Sequence, residues 1–354
     1  MRETVSLCEH CYRHIPATTY EENGSIMMQK TCPEHGEFTY MIERDAEFYH
    51  SLNYRYDGFH IPNSIMLEVT DKCNLNCPHC YHEPENKTTD RSIDSIIQQI
   101  ESWPSHHWNI VLAGAEPTVR KDLPQVINEI NSWHWRNNKP NRGTVILTNG
   151  VKLNDIEYVR ELKSVGVGGF MIGLNHHSYQ GEKIHEKQLQ GIRNCIQEGL
   201  NIFYVGYTLE DVNHFPEVID EIQSIKDGVH HFRIRAGSDI GRSPDEPRWY
   251  LSDHVKCVED YAKSQGYEFA RIAGDDNIYH VMALINGVIH RLIQWSDPKT
   301  IDMKELVTPP WADFVPGKPI TNFLHQVMLR DAAINNGMQL HDTCPTDFWY
   351  RQIN

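Results

Sequence analysis

Three cysteines fall within eight residues, Cys73, Cys77 and Cys80 in CNLNCPHC. Thiolates are soft ligands for zinc and for iron–sulfur clusters. A closed structural zinc site takes four protein ligands. The nearby candidates are His79 and His82, and His79 lies between two of the thiols, poorly placed to close a tetrahedron. The C-x3-C-x2-C spacing better suits a cubane [4Fe–4S] cluster held at three irons, the fourth left open to a small chelating molecule.

A second set opens the chain. LCEHC (7–11) and TCPEHG (31–36) form a C-x2-C…C-x2-H pattern. Cys8, Cys11, Cys32 and His35 then make a closed tetrahedral Zn2+ set, with Pro33 and Gly36 shaping the turn of a knuckle. His10 and His14 compete as ligands. A segment of about 60 residues holds little core, so bound metal would supply folding energy. Free thiols, an iron centre or a zinc-dependent nucleic-acid module are the alternatives, the last opposed by the segment's weak basic character.

The chain has nine cysteines, an odd and clustered set. Its start, MRETVSLCEHC, lacks the basic-then-apolar pattern of a signal peptide. Metal ligation in a reducing, cytoplasmic compartment is therefore expected, rather than a disulfide framework. The formal net charge of -15 argues against gripping nucleic acid. No run of about 18 apolar residues predicts a membrane span.

The elements that must position these ligands follow from periodicity. SIMLEVT (64–70), WNIVLAG (108–114), GTVILTNG (143–150), GGFMIGLN (168–175), NIFYVGYTL (201–209) and HHFRIRAG (230–237) read as strands. Between them 94–103, 122–133, 156–166, 188–199 and 215–225 carry helical spacing, the third ending at a Gly stop. Apolar strands alternating with amphipathic helices predict a parallel sheet with helical crossovers. A barrel or partial barrel competes with a doubly wound open sheet; in a barrel the active site lies at the C-terminal strand ends.

The cysteine loop, placed just after the first strand, resembles that of the radical S-adenosylmethionine (SAM) superfamily. The resemblance implies a partial (β/α)6 TIM-type barrel over about residues 64–242, in which the amine and carboxylate of SAM chelate the open iron. It places His79 near the adenine. AGAEPT (113–118) is similar to the family's Gly-Gly-Glu-Pro segment, with Ala115 replacing one Gly, and implicates Gly114 and Glu116 at the SAM amino group. TNG implicates Thr148 and Asn149. Strand four ends GLNHH where many relatives have Ser-Leu-Asp-Gly, leaving Asn175 for the ribose. Arg233 and Arg235 share a face of strand six, where one could pair with a carboxylate, or either could form a surface salt bridge. AGSDIGR (236–242) resembles the loop bordering the adenine pocket. Weaker is the likeness of the N-terminal segment to that of tetraether lipid synthase-like radical SAM proteins.

The expected division is a zinc-knuckle subdomain over 1–62, the barrel over 63–242, and an irregular α+β extension over 243–354. In the extension, 277–295 reads as a hairpin turning at Asn286-Gly287 and 319–337 as a helix. These elements would close the barrel and line the substrate pocket, with His280, His290, His325 and Arg330 as candidate contacts. With only Cys257 and Cys344 beyond the barrel, an all-Cys second cluster is not expected. Cys344 is a candidate hydrogen-atom donor, with an inert buried thiol as the default.

The resulting expectation is an enzyme with a [4Fe–4S] cluster, SAM and structural Zn2+. An external one-electron donor of the flavodoxin or ferredoxin type would drive hydrogen abstraction from a small polar substrate. Modification of a lipid, peptide or other macromolecule is a second reading. A metal-stabilised binding or redox module without SAM cleavage is a third.

Overall fold

The computed structural model describes residues 1–11, 13–51, 64–78, 80, 84, 86–101, 109–141, 143–230, 232–236, 249–266, 268–273, 279–285 and 288–294. Four antiparallel strands open the chain in the order β1-β2-β3-β4: β1 (Arg2–Leu7), β2 (His14–Glu22), β3 (Ser25–Cys32) and β4 (Gly36–Glu43). The alternation of β3, with Ile26, Met28, Lys30 and Cys32 buried, turns one face inward. The short helix α1 (Ala46–Ser51) follows and buries Phe48.

The central strands are β5 (Ser64–Glu68), β6 (Asn109–Ala113), β7 (Thr144–Thr148), β8 (Val167–Gly173), β9 (Ile202–Leu209) and β10 (Phe232–Ala236). They pair in parallel, each with the next in sequence. Between them lie the helices α2 (Ile93–Glu101), α3 (Leu123–Arg136), α4 (Ile156–Ser164), α5 (His177–Gln180), α6 (Glu182–Gln197) and α7 (Phe215–Ile225). The strand and helix expectations hold, and α6 starts six residues before its predicted onset at 188.

The crossover helices bury one stripe each. In α7 it comprises Phe215, Val218, Ile219, Ile222 and Ile225, the i, i+3, i+4, i+7 spacing of a helix lying on a sheet. Pro216 in its first turn removes an amide that would have no intrahelical partner. Asp155 caps α4 by accepting from the Glu157 amide at 3.0 Å, and α4 stops at Gly166 in the left-handed region.

After β10 the chain is more regular than its sequence texture suggested. Helix α8 (Leu251–Gln265) buries Leu251, Val255, Val258 and Ala262. Strands β11 (Glu268–Ala273), β12 (Tyr279–Ile285) and β13 (Val288–Gln294) follow. β12 and β13 form the expected hairpin, with Ile285 opposite Val288. β13 runs parallel to β10, so the nine-stranded sheet reads β11-β12-β13-β10-β9-β8-β7-β6-β5. Its edges are β5 and β11, which makes it an open, partial barrel. The helix expected over 319–337 lies outside the described residues, as does Cys344.

The N-terminal sheet is anchored to the larger one. Leu7 and Phe48 belong to the main apolar core. Buried Glu43 accepts from both the amide (3.1 Å) and the hydroxyl (2.5 Å) of Ser252, satisfying an orphan amide in the first turn of α8. Arg44 lies 3.4 Å from Asp253 and over the Tyr250 ring.

Candidate active site

The C-terminal ends of β5 to β10 share one edge of the sheet, because the strands are parallel. The cysteine loop leaves β5 through Val69 and Thr70 and is braced at its stem. Asp90 accepts from the Thr70 hydroxyl (2.6 Å) and pairs with Lys72 (3.0 Å). Arg120, fully buried, donates to the Val69 carbonyl (2.9 Å) and is clamped by both oxygens of Asp122. Ala115 and Glu116 donate their amides to the carbonyls of Thr70 and Lys72. Gly114 makes this approach feasible: its φ is +119°, and a Cβ there would lie 2.3 Å from the Thr70 oxygen.

The thiols themselves are half-buried. Cys73 Sγ accepts from the Leu75 amide (3.3 Å), and Asn149 Nδ2 stands 3.8 Å away. Asn149 also donates to Asn74 Oδ1 at 2.8 Å, tying the end of β7 to the loop. Cys77 Sγ receives Gln180 Nε2 at 2.9 Å, across 103 residues of sequence. The Cys80 amide donates to the Cys77 carbonyl (3.3 Å). Burial first, then the neighbouring Cys80 and Cys73, pushes the Cys77 thiol up to about 12. Cys73 is raised by burial as well. A cation among them would offset both effects.

Glu116 and Thr148 are both buried. Glu116 Oε1 accepts from the Thr118 amide (3.0 Å) and from the Thr118 and Thr148 hydroxyls, and Oε2 from the Asn149 amide (2.6 Å). This carboxylate joins the ends of β6 and β7, and burial raises its pKa against those donors. Thr148 also accepts from the Gly150 amide (3.0 Å). Gln188 of α6, buried, donates to the carbonyls of Asn149 (2.7 Å) and Gly173 (3.1 Å), linking β7 to β8. Nothing in the motif pointed to Gln180 or Gln188, because both arrive from the far side of strand four.

Asn175 is half-buried after β8, and its carbonyl accepts from His185 Nδ1 at 2.8 Å. His185 and Tyr207 both bond the Glu221 carboxylate, a chain that fixes this strand end. Just beyond, His176 Nε2 lies 3.0 Å from Glu217. Arg233 on β10 places its guanidinium 4.0 Å from the Tyr204 ring centre. The Arg235 side chain and His79 lie outside the described residues, as do the loop 237–242 and the side chains of His280 and His290. His325 and Arg330 lie there too.

The N-terminal donors are arranged differently. Cys8 and Cys11 come from the turn between β1 and β2; Cys32 and His35 come from the turn between β3 and β4. Cys8 and Cys32 Sγ stand 3.5 and 3.4 Å from His35 Nδ1, and Cys11 and Cys32 are 3.9 Å apart. All four donor atoms lie within 4.8 Å of one another. Tetrahedral zinc with bonds of about 2.3 Å needs sulfurs about 3.8 Å apart, so this set fits one ion. His10 and His14 are not in the group. Burial would raise Cys32, but His35 and backbone amides bring it down to about 6. Among the described residues, Cys73, Cys77 and Cys80 form no such single-ion group. The eight described cysteines are all free.

Comparison with known proteins finds a family match over each of the two regions. Residues 67–222 match the radical SAM superfamily, and residues 1–44 match the HMPTM N-terminal zinc ribbon domain. The chain carries a radical SAM domain behind a zinc ribbon. It is an enzyme whose central region matches that superfamily; the superfamily implies SAM and an iron–sulfur cluster, as the ribbon implies zinc. The expected knuckle is thus one half of a two-hairpin ribbon. The enzyme is 29% identical to the 7,8-dihydro-6-hydroxymethylpterin dimethyltransferase of Methanocaldococcus jannaschii, over 73% of this chain and 58% of that protein. It is 29% identical to the Fe-coproporphyrin III synthase of Methanosarcina barkeri, over 46% and 41%. A probable GTP 3',8-cyclase of Methanococcus maripaludis is also 29% identical, over 59% and 69%. The chain therefore spans about half the length of the first two relatives. The crystal structure of Streptococcus suis SuiB bound to S-adenosylmethionine is similar at a TM-score of 0.43 and 13% identity, over 62% of this chain and 51% of that one. Among the described residues no helix is long and apolar enough to cross a membrane.

Proposed function

We propose that Cys73, Cys77 and Cys80 hold a [4Fe–4S] cluster and that the enzyme abstracts a hydrogen atom from a small polar substrate, with a 6-hydroxymethyl-7,8-dihydropterin as the leading class. Those three thiols would hold the cluster, which, with an external flavodoxin- or ferredoxin-type donor, would supply the one-electron reductive cleavage of SAM that yields a hydrogen-abstracting radical. The observation that carries the reading is the placement of three thiols on one braced loop at the end of the first barrel strand, with a side-chain amide turned to Cys77.

The chain's own part is positioning. Arg120 and Asp90 hold the loop stem, Asn149 and Gln180 donate toward the sulfurs, and Glu116 locks the ends of β6 and β7 to one another. Asn149, Asn175 and the backbone at Gly114 are the positions that would meet SAM. The small-substrate reading is supported by relatives whose names specify a pterin, a porphyrin and a nucleotide. Cys8, Cys11, Cys32 and His35 would hold the structural zinc.

The test is anaerobic reconstitution with iron, sulfide and a strong reductant, followed by assay for 5'-deoxyadenosine with a dihydropterin deuterated at its carbon positions. The expected result is 5'-deoxyadenosine carrying deuterium. Deuterium-free product would exclude the pterin, and a fully loaded enzyme yielding no 5'-deoxyadenosine would overturn the cleavage reading.

A further inference from the structure

We propose that His176, His177 and Glu217 bind one divalent first-row transition-metal ion at the C-terminal edge of the barrel sheet. The two histidines lie three and four residues beyond the end of β8, and Glu217 lies in the first turn of α7, after β9. Their donor atoms all lie within 4.8 Å of one another, the span of ligands around a single ion. The site is separate from the ribbon and does not depend on the cluster reading.

His176 is held as a metal ligand needs to be. It is buried, 7% exposed, and its ring stacks on His214 with centres 4.0 Å apart and planes 11° apart. Its Nδ1 lies 2.8 Å from the Ser178 hydroxyl. Nδ1 also accepts from the Ser178 amide (3.4 Å), and Nε2 faces the Glu217 carboxylate at 3.0 Å; an ion at Nε2 would move the ring proton to Nδ1, where the Ser178 hydroxyl can accept it. A fixed ring with its far nitrogen hydrogen-bonded is the usual support of a ligating imidazole. His177 lies 4.1 Å from His176 between ring centres.

A second observation points the same way. His214 Nδ1 is buried and has no hydrogen-bond partner among the described residues. A hydrated ion beside the stacked His176 ring would give that nitrogen a partner. Two imidazoles and one carboxylate select Zn2+, Fe2+, Co2+ or Ni2+ over Mg2+ and Ca2+. Three protein ligands leave positions open, as in catalytic rather than structural sites. His177 and Glu217 are exposed, so those positions can take water or an oxygen or nitrogen donor of a substrate. The four residues of α5 run from this group to Gln180, whose amide meets Cys77.

The test uses the full chain with its cluster reconstituted anaerobically, dialysed against low-micromolar free zinc and analysed for metal. About two zinc ions per chain are expected, one at the ribbon and one here. The His177→Ala/Glu217→Gln variant, altered at two exposed side chains, should lose one of them; Cys8→Ser/Cys32→Ser should lose the other. Wild type with a single zinc, or the His/Glu variant with two, would overturn the proposal. Cobalt gives an independent readout. The site should add weak d–d bands without thiolate charge transfer, and bands that survive in the His/Glu variant would likewise overturn it.

Discussion

Cys8, Cys11, Cys32 and His35 stand on two hairpin turns whose strands are paired along their length. Cys73, Cys77 and Cys80 stand on a single loop between β5 and α2. The first group draws four donors within bonding reach of one ion; the second spreads three thiols and surrounds them with amide donors from other strand ends. A closed donor set serves folding, and an open one serves chemistry. Among the described residues, the ribbon's own apolar cluster is small, Cys8, Ile15 and Cys32 with Cys11 and Phe38 packed against them, so ligands make up much of its packing. The loop is held by residues that are not ligands, so its ligands are left for a cofactor.

The largest effect should come from the closed set. Structural zinc contributes about 10–16 kcal/mol in small finger domains, far more than that little core can replace. Cys8→Ser/Cys32→Ser should therefore lose hydrogen-exchange protection across β1 to β4 while β7 and β8 stay protected. A ribbon that keeps its protection without metal would break the comparison. Next is the loop stem. Gly114→Ala drives a Cβ to 2.3 Å from the Thr70 oxygen at a φ of +119°. We expect a loss of about 3 kcal/mol or more in barrel stability by urea unfolding. Near-wild-type stability would show that the stem adapts. Smaller still is Gln180→Leu, which removes the amide from Cys77 but no ligand. It should keep full iron content yet slow SAM cleavage roughly tenfold. Unchanged cleavage would reduce Gln180 to a packing residue.

Much of this was legible in the sequence, for identifiable reasons. Six parallel strands and their helices follow from local periodicity, and both cysteine sets from ligand type and spacing. Helix α8 carried a readable stripe too, Leu251, Val255, Val258 and Ala262, in a region whose overall texture looked irregular. What could not be read depends on tertiary approach. Gln180 meets Cys77 over 103 residues, and Glu43 meets Ser252 over 209. His176 and Glu217 come together only because β8 and β9 are neighbours. The GLNHH ending was the visible signal there, a departure from the family pattern at the strand end that borders the site.

The central contrast is between the proposed open iron site and the proposed closed zinc site. Electron paramagnetic resonance of the reduced, fully cluster-loaded enzyme, with and without SAM, tests it most directly. The account predicts that SAM changes the cluster signal, because SAM takes the position that the three thiols leave free. A signal identical with and without saturating SAM would contradict it.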